Sequence, residues 1–166
     1  MNAGESAFWQ FSLRFYQRPE VPAVCLTLQD QHGVDVNLLF FILFLSLNGR
    51  HLKTDEVRRI DACVRAWRLR VVQPLRALRR DLKSGIAPVE TEAAQALRGA
   101  IKRDELLAER LQQEALEREF PVASTGSPAE PRAAAAKANV AAYTSVIGAL
   151  PEVLVNTLLE ALADEF

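Results

Sequence analysis

Little in this chain carries ready-made chemistry. Among 166 residues there are two cysteines, two histidines and one methionine. Two isolated thiols, Cys25 and Cys63, give neither a disulfide framework nor a zinc spacing. Each lies in an apolar helical pattern, so both are expected to be reduced and buried. Glycine and proline, seven and eight residues, are too few for a loop-rich or collagenous chain. No glycine-rich phosphate loop and no G-x-S-x-G nucleophile turn occurs, and no H-E-x-x-H pair is present. The longest apolar run, Val36 to Leu47, is shorter than the ~20 residues needed to span a bilayer. MNAGESAFWQ lacks the basic and apolar segments of a secretory leader, so a cytoplasmic protein with no membrane span is expected.

What is present is helix-forming. Apolar residues make up 49% and charged residues 25%, the balance of an ordinary globular domain rather than a disordered chain. Alanine, leucine, arginine and glutamate dominate, and all four favour helix. The expected fold is all-α, a single-domain bundle of about six to eight helices.

The first helix begins near Ser6, a good N-cap beside Glu5, and carries Phe8, Phe11 and Phe15 at helical spacing. The second opens at Arg18-Pro19, turns Val21, Val24, Cys25 and Leu28 inward, and stops at Gly33. Asp35 is the natural N-cap of the third, which is apolar nearly all round and must be covered on most sides. Val57, Ile60, Val64, Trp67, Val71, Leu75, Leu78 and Leu82 then fall within roughly 80° of arc, predicting one long amphipathic helix kinked at Pro74, or two helices nearly in line. A further helix runs from about Val89 to Glu119, with Val89, Ala93, Leu97, Ala100, Leu107 and Leu111 facing inward. These two long helices are expected to form a hairpin on the third. The domain reading is a helical core over residues 1–120, a Pro-rich linker over 121–131 and a C-terminal helical segment over 132–166.

Charge is unevenly placed. Residues 50–83 carry eleven Lys/Arg against four acids, and residues 84–166 carry seven against thirteen. Arg58, Arg65, Arg76 and Lys83 mark a basic stripe that could attract phosphates or an acidic partner. The stripe has no interleaved aromatics for base stacking, and the following segment is acidic enough to neutralise it. Nucleic acid is therefore disfavoured.

The joint between the second and third helices gathers the densest polar chemistry. Asp30, His32, Asp35 and Asn37 surround Gly33, with Trp9, Tyr16 and Arg18 as candidate neighbours from the first turn of the chain. Together they could line a small-ligand pocket. As structural elements, Asp35 caps a helix, His32 complements a helix C-terminus, and Asp30 pairs with an arginine. Asn37, if buried, needs a partner such as a helix end, Arg14 or Arg18. No metal site, catalytic residue or cofactor is expected.

The blocks Y-Q-R-P-E-V, C-L-T-L-Q-D-Q-H-G-V-D-V-N-L-L-F and V-V-Q-P-L-R-A-L-R-R make the chain similar to a proteobacterial family of small proteins known only as a domain of unknown function. The resemblance covers roughly residues 8–112. It implies a helical cytoplasmic bacterial protein and supplies no activity. The leading expectation is a non-catalytic interaction or adaptor protein with a protein partner, a homodimer being one form. The alternatives are a ligand-binding protein or enzyme at the helix 2–helix 3 joint, and nucleic-acid binding through residues 58–83.

Overall fold

The computed structural model describes residues 6–165. Eight α-helices dominate: α1 (Ala7–Tyr16), α2 (Val21–His32), α3 (Val36–Leu47), α4 (Thr54–Trp67), α5 (Gln73–Asp81), α6 (Thr91–Glu119), α7 (Arg132–Ile147) and α8 (Glu152–Ala163). A π-helical turn, Arg68–Val72, joins α4 to α5. Two residue pairs, β1 (Arg50–His51) and β2 (Ser127–Pro128), form an antiparallel ribbon. The fold is all-α. The chain divides into two compact units, Met1–Cys63 with Gln113–Phe166, and Val64–Gln112. No helix of the described residues is long and apolar enough to cross a membrane.

The first unit is built around α3, whose residues Asn37 to Ser46 are all buried. The Ser6 hydroxyl accepts from the Trp9 amide at 3.0 Å and starts α1, whereas Glu5 lies outside the described residues. Phe8, Phe11 and Phe15 of α1 meet Phe40, Phe41 and Phe44 of α3, with ring centroids 5.0 Å apart for Phe8–Phe41 and 5.1 Å for Phe15–Phe40. Offset and tilted rings at this distance add favourable quadrupole contact to plain burial. α7 covers another side of α3. Its buried Ala135, Ala136 and Ala142 are small enough to let the two backbones approach closely. Tyr143, 1% exposed, fills the remaining space.

That close approach is fixed by Asn139, fully buried on α7. Its side-chain oxygen accepts from the Leu52 amide at 2.7 Å, and its nitrogen donates to the Arg50 carbonyl at 2.9 Å. Arg50 in turn donates to the carbonyls of Thr125 and Gly126, each at 2.6 Å. Gly126 has φ +68°, and a Cβ there would collide with the His51 carbonyl. Only glycine accepts both conditions cheaply.

Several sequence expectations need correction. α2 starts at Val21, not at Arg18-Pro19, with Pro22 in its first turn. Residues 18–20 form a turn, because the Val21 amide donates back to the Arg18 carbonyl. Cys25 is buried and its thiol is pushed up to about 12 by desolvation, but Cys63 is exposed.

In the second unit the long helix continues through Pro74 by widening rather than by a simple kink. The Gln73 amide donates to the Arg68 carbonyl, five residues back. A π turn takes in one extra residue and shifts the phase of everything after it. Val72 is therefore buried at 2% and Leu78 is 44% exposed, while Trp67, the last residue before the turn, is 38% exposed. The unit's hydrophobic core is small: Leu82, Ala94 and Ile101, with Leu75 packed against them.

Candidate functional site

At the joint between α2 and α3, Gly33 adopts φ +65° as the left-handed cap of α2. The Leu38 amide donates to Asp35 Oδ1 at 3.2 Å, so Asp35 caps α3. Asp30 and His32 are exposed, and Asp30 Oδ1 accepts from Gln29 at 3.4 Å. Asn37 is buried, and its partner is neither Arg14 nor Arg18. Its Oδ1 accepts from Gln113 Nε2 at 2.7 Å. Arg18 pairs with the C-terminal acids instead, at 2.9 Å to Asp164 and 2.6 Å to Glu165. The Glu165 hydrogen bond is the main reason its pKa is raised. Tyr16 is 40% exposed, its ring 6.5 Å from that of Phe40, and Trp9 is half-buried near the start of α1. Arg18 and Asn37, the two groups best suited to hold a ligand's polar atoms, are thus drawn to different partners.

A cleft of about 210 Å³ in the first unit is lined by Glu56, Arg59 and Ile60 on one side and Glu119, Phe120 and Thr125 on the other. It includes none of the seven residues singled out at the joint. Its volume falls below the ~300 Å³ at which small-molecule sites begin. Among the described residues no group of three His, Cys, Asp or Glu could hold a metal ion.

The basic stripe is also divided among partners. Arg58 pairs with Asp55 at 2.7 Å, while Arg65 and Lys83 are exposed. Arg76 is occupied inside the second unit, donating to Glu105 at 3.0 Å and to Glu109 at 2.6 Å. Arg79 makes a bidentate pair with Glu105 through Nε and Nη2. Burial alone would raise the Glu105 pKa, but the hydrogen bonds from Arg79 and Arg76, and then their charges, bring it below its ordinary value.

These bonds orient the second unit. As the chain advances from Trp67 through Arg76 to Arg79, the partners on α6 run backward: Ala108, Glu105 and Arg98. The two arms are therefore antiparallel, and one edge of the hairpin is a ladder of ion pairs. On the first arm, Trp67, whose indole N–H donates to the Ala108 carbonyl at 2.9 Å, and Leu78 remain partly exposed. On α6 the residues that face the first arm are Ala94, Ile101, Glu105, Ala108 and Gln112, all buried. The expected inward stripe is displaced by one residue from these. Leu97, Leu107 and Leu111 are 55%, 54% and 44% exposed. The leucine pattern is real, but it faces water.

Sequence reasoning missed Asn139, Gln113 and the pairing role of Glu105. A lone asparagine at helical spacing from Ala135, Ala142 and Tyr143 was the available signal for the first. A buried polar group on such a face needs a specific partner. The other two had no local mark, since their partners lie 29 and 76 residues away.

Curated proteins and solved structures yield no match to this chain. A family model does, over residues 7–116 of 166. That span takes in α1 through most of α6, including the exposed leucines, and the chain belongs to the family described as protein of unknown function DUF2390.

Proposed function

We propose that this is a non-catalytic interaction protein of the bacterial cytoplasm that engages an apolar protein helix through the leucine-bearing edge of the Val64–Gln112 hairpin. The observation that carries this reading is the exposure of Leu97, Leu107 and Leu111 at helical spacing in one row on α6. Large apolar side chains scattered singly on a surface need no explanation, but a contiguous row rimmed by charge marks a place where another surface sits. Nucleic-acid binding has less support, because Arg76 already spends its donors on Glu105 and Glu109.

Site-specific photocrosslinking in cells tests the proposal. A photoreactive residue at Leu107 should capture a protein, and one at exposed Lys137 on α7 should not. Equal capture at the two positions, or none at Leu107, would remove the support for this edge as an interaction surface.

A further inference from the structure

Resting on that reading, we infer that the surface on α6 is occupied by a second copy of this chain, in an antiparallel helix pair. The outer row is Ala93, Leu97, Ala100, Asp104, Leu107 and Leu111, all exposed except the partly buried Ala100, and it steps by 4, 3, 4, 3 and 4 residues. This is the spacing of a coiled-coil seam. The buried row beside it, beginning at Ala94, has the same spacing and is already used inside the hairpin. α6 thus carries two adjacent seams, one closed within the unit and one open.

The open seam complements itself in one orientation. Set antiparallel about a two-fold axis, Leu97 faces Leu107 of the second copy, Ala93 faces Leu111, and Ala100 faces Asp104. Large residues meet small ones at both ends of the seam, and the leucine pair packs between them. A two-fold axis repeats each contact, so a self-complementary patch closes into a dimer and stops there.

Charge chooses the same orientation. In a parallel, in-register pair, Asp104 would stand against Asp104 in the middle of an apolar seam, two like charges losing solvent together. The antiparallel register places Asp104 beside Ala100 of the second copy. Arg103 of that copy is then displaced by about 4.5 Å along the axis, at 1.5 Å per residue. That distance is within the reach of an arginine side chain, and the pairing occurs twice.

The hairpin itself supplies a further reason. Two antiparallel helices leave one apolar face uncovered, and two such hairpins face to face make a four-helix bundle.

Sedimentation velocity on the full chain tests this, with a dimer of twice the 18.5 kDa chain mass expected. Leu97→Glu or Leu107→Glu should weaken the dimer at least about tenfold while the circular dichroism of the chain is kept. Asp104→Arg should weaken it likewise, and the double change Arg103→Asp with Asp104→Arg should restore it. Orientation is read with a short bis-maleimide in a Cys63→Ser background, where the remaining Cys25 is buried. A mixture of Leu97→Cys and Leu107→Cys chains should crosslink to each other, and Leu97→Cys alone should not. Self-crosslinking of Leu97→Cys would overturn the antiparallel pair. A full chain that stays monomeric up to on the order of 100 µM would overturn the second copy as occupant. In that case, capture of a different protein at Leu107 would leave the interaction reading standing, and absence of capture would remove both.

Discussion

The two units of this protein reach stability by different routes. The first packs phenylalanines from α1 and α3 ring against ring and seals them with α7. The second has a small aliphatic cluster and holds its arms together largely through Arg76, Arg79, Glu105 and Glu109. In the first, large apolar residues are mostly consumed by the core. In the second, several of the largest remain on the surface. A unit that folds on ion pairs and a thin core keeps its leucines available, and availability is what an interaction surface requires.

The largest effect should fall in the first unit. Phe41, 0% exposed, is tilted against Phe8 and stacked with Phe44. Phe41→Ala should cost roughly 3–5 kcal/mol, the sum of lost transfer energy and the cavity left behind. Urea denaturation checks it. A loss below about 1 kcal/mol would mean that the aromatic contacts are not where this unit's stability resides.

Glu105→Gln is the matching test in the second unit. It removes the acceptor charge shared by Arg76 and Arg79, and hydrogen bonds to charged groups are worth about 1.5–3 kcal/mol. The loss should appear as faster amide exchange within Val64–Gln112 and not around α3. The same pair predicts a pH dependence of defined sign. Glu105 has its pKa lowered by folding, so its contribution is present above the ordinary carboxylate value of about 4.3 and is lost as pH falls through the folded value. Acidification below about pH 4 should therefore loosen the second unit, and Glu105→Gln should flatten that response. The first unit's phenylalanines do not titrate.

Asp35→Ala sits below these, at about 1 kcal/mol, the usual cost of losing an N-cap. Its role was legible in the sequence because a cap is a local object: Asp35 and the Leu38 amide are three residues apart. The Ser6 cap, the Gly33 terminus and the burial of α3 were legible for the same reason. What failed was phase. The stripe from Val57 to Leu82 was read as one face, but a π turn at Arg68–Val72 rotates its second half. On α6 two seams one residue apart compete, and periodicity cannot say which one turns inward. The ion pairs decide it, since Glu105 and Glu109 must reach Arg76 and Arg79, and that swings Leu97, Leu107 and Leu111 outward. The partners of the polar joint were hidden for a related reason. Its residues are close in sequence, yet Arg18 and Asn37 find their partners at Glu165 and Gln113.

The smallest effect is the most diagnostic. Leu97 is 55% exposed, so in a dilute monomeric sample Leu97→Ala should change stability by no more than about 0.5 kcal/mol. A core leucine would cost about 2–5 kcal/mol for the same change. The two seams on α6 can thus be told apart by comparing Leu97→Ala with Ile101→Ala, which lies in the buried row. If a second copy covers Leu97, the wild-type melting temperature should also rise with protein concentration, since binding to the folded state stabilises it by mass action. Leu97→Ala should remove most of that rise while leaving the dilute value alone. A large loss at high dilution would place Leu97 inside the fold and would erase the contrast between the two units.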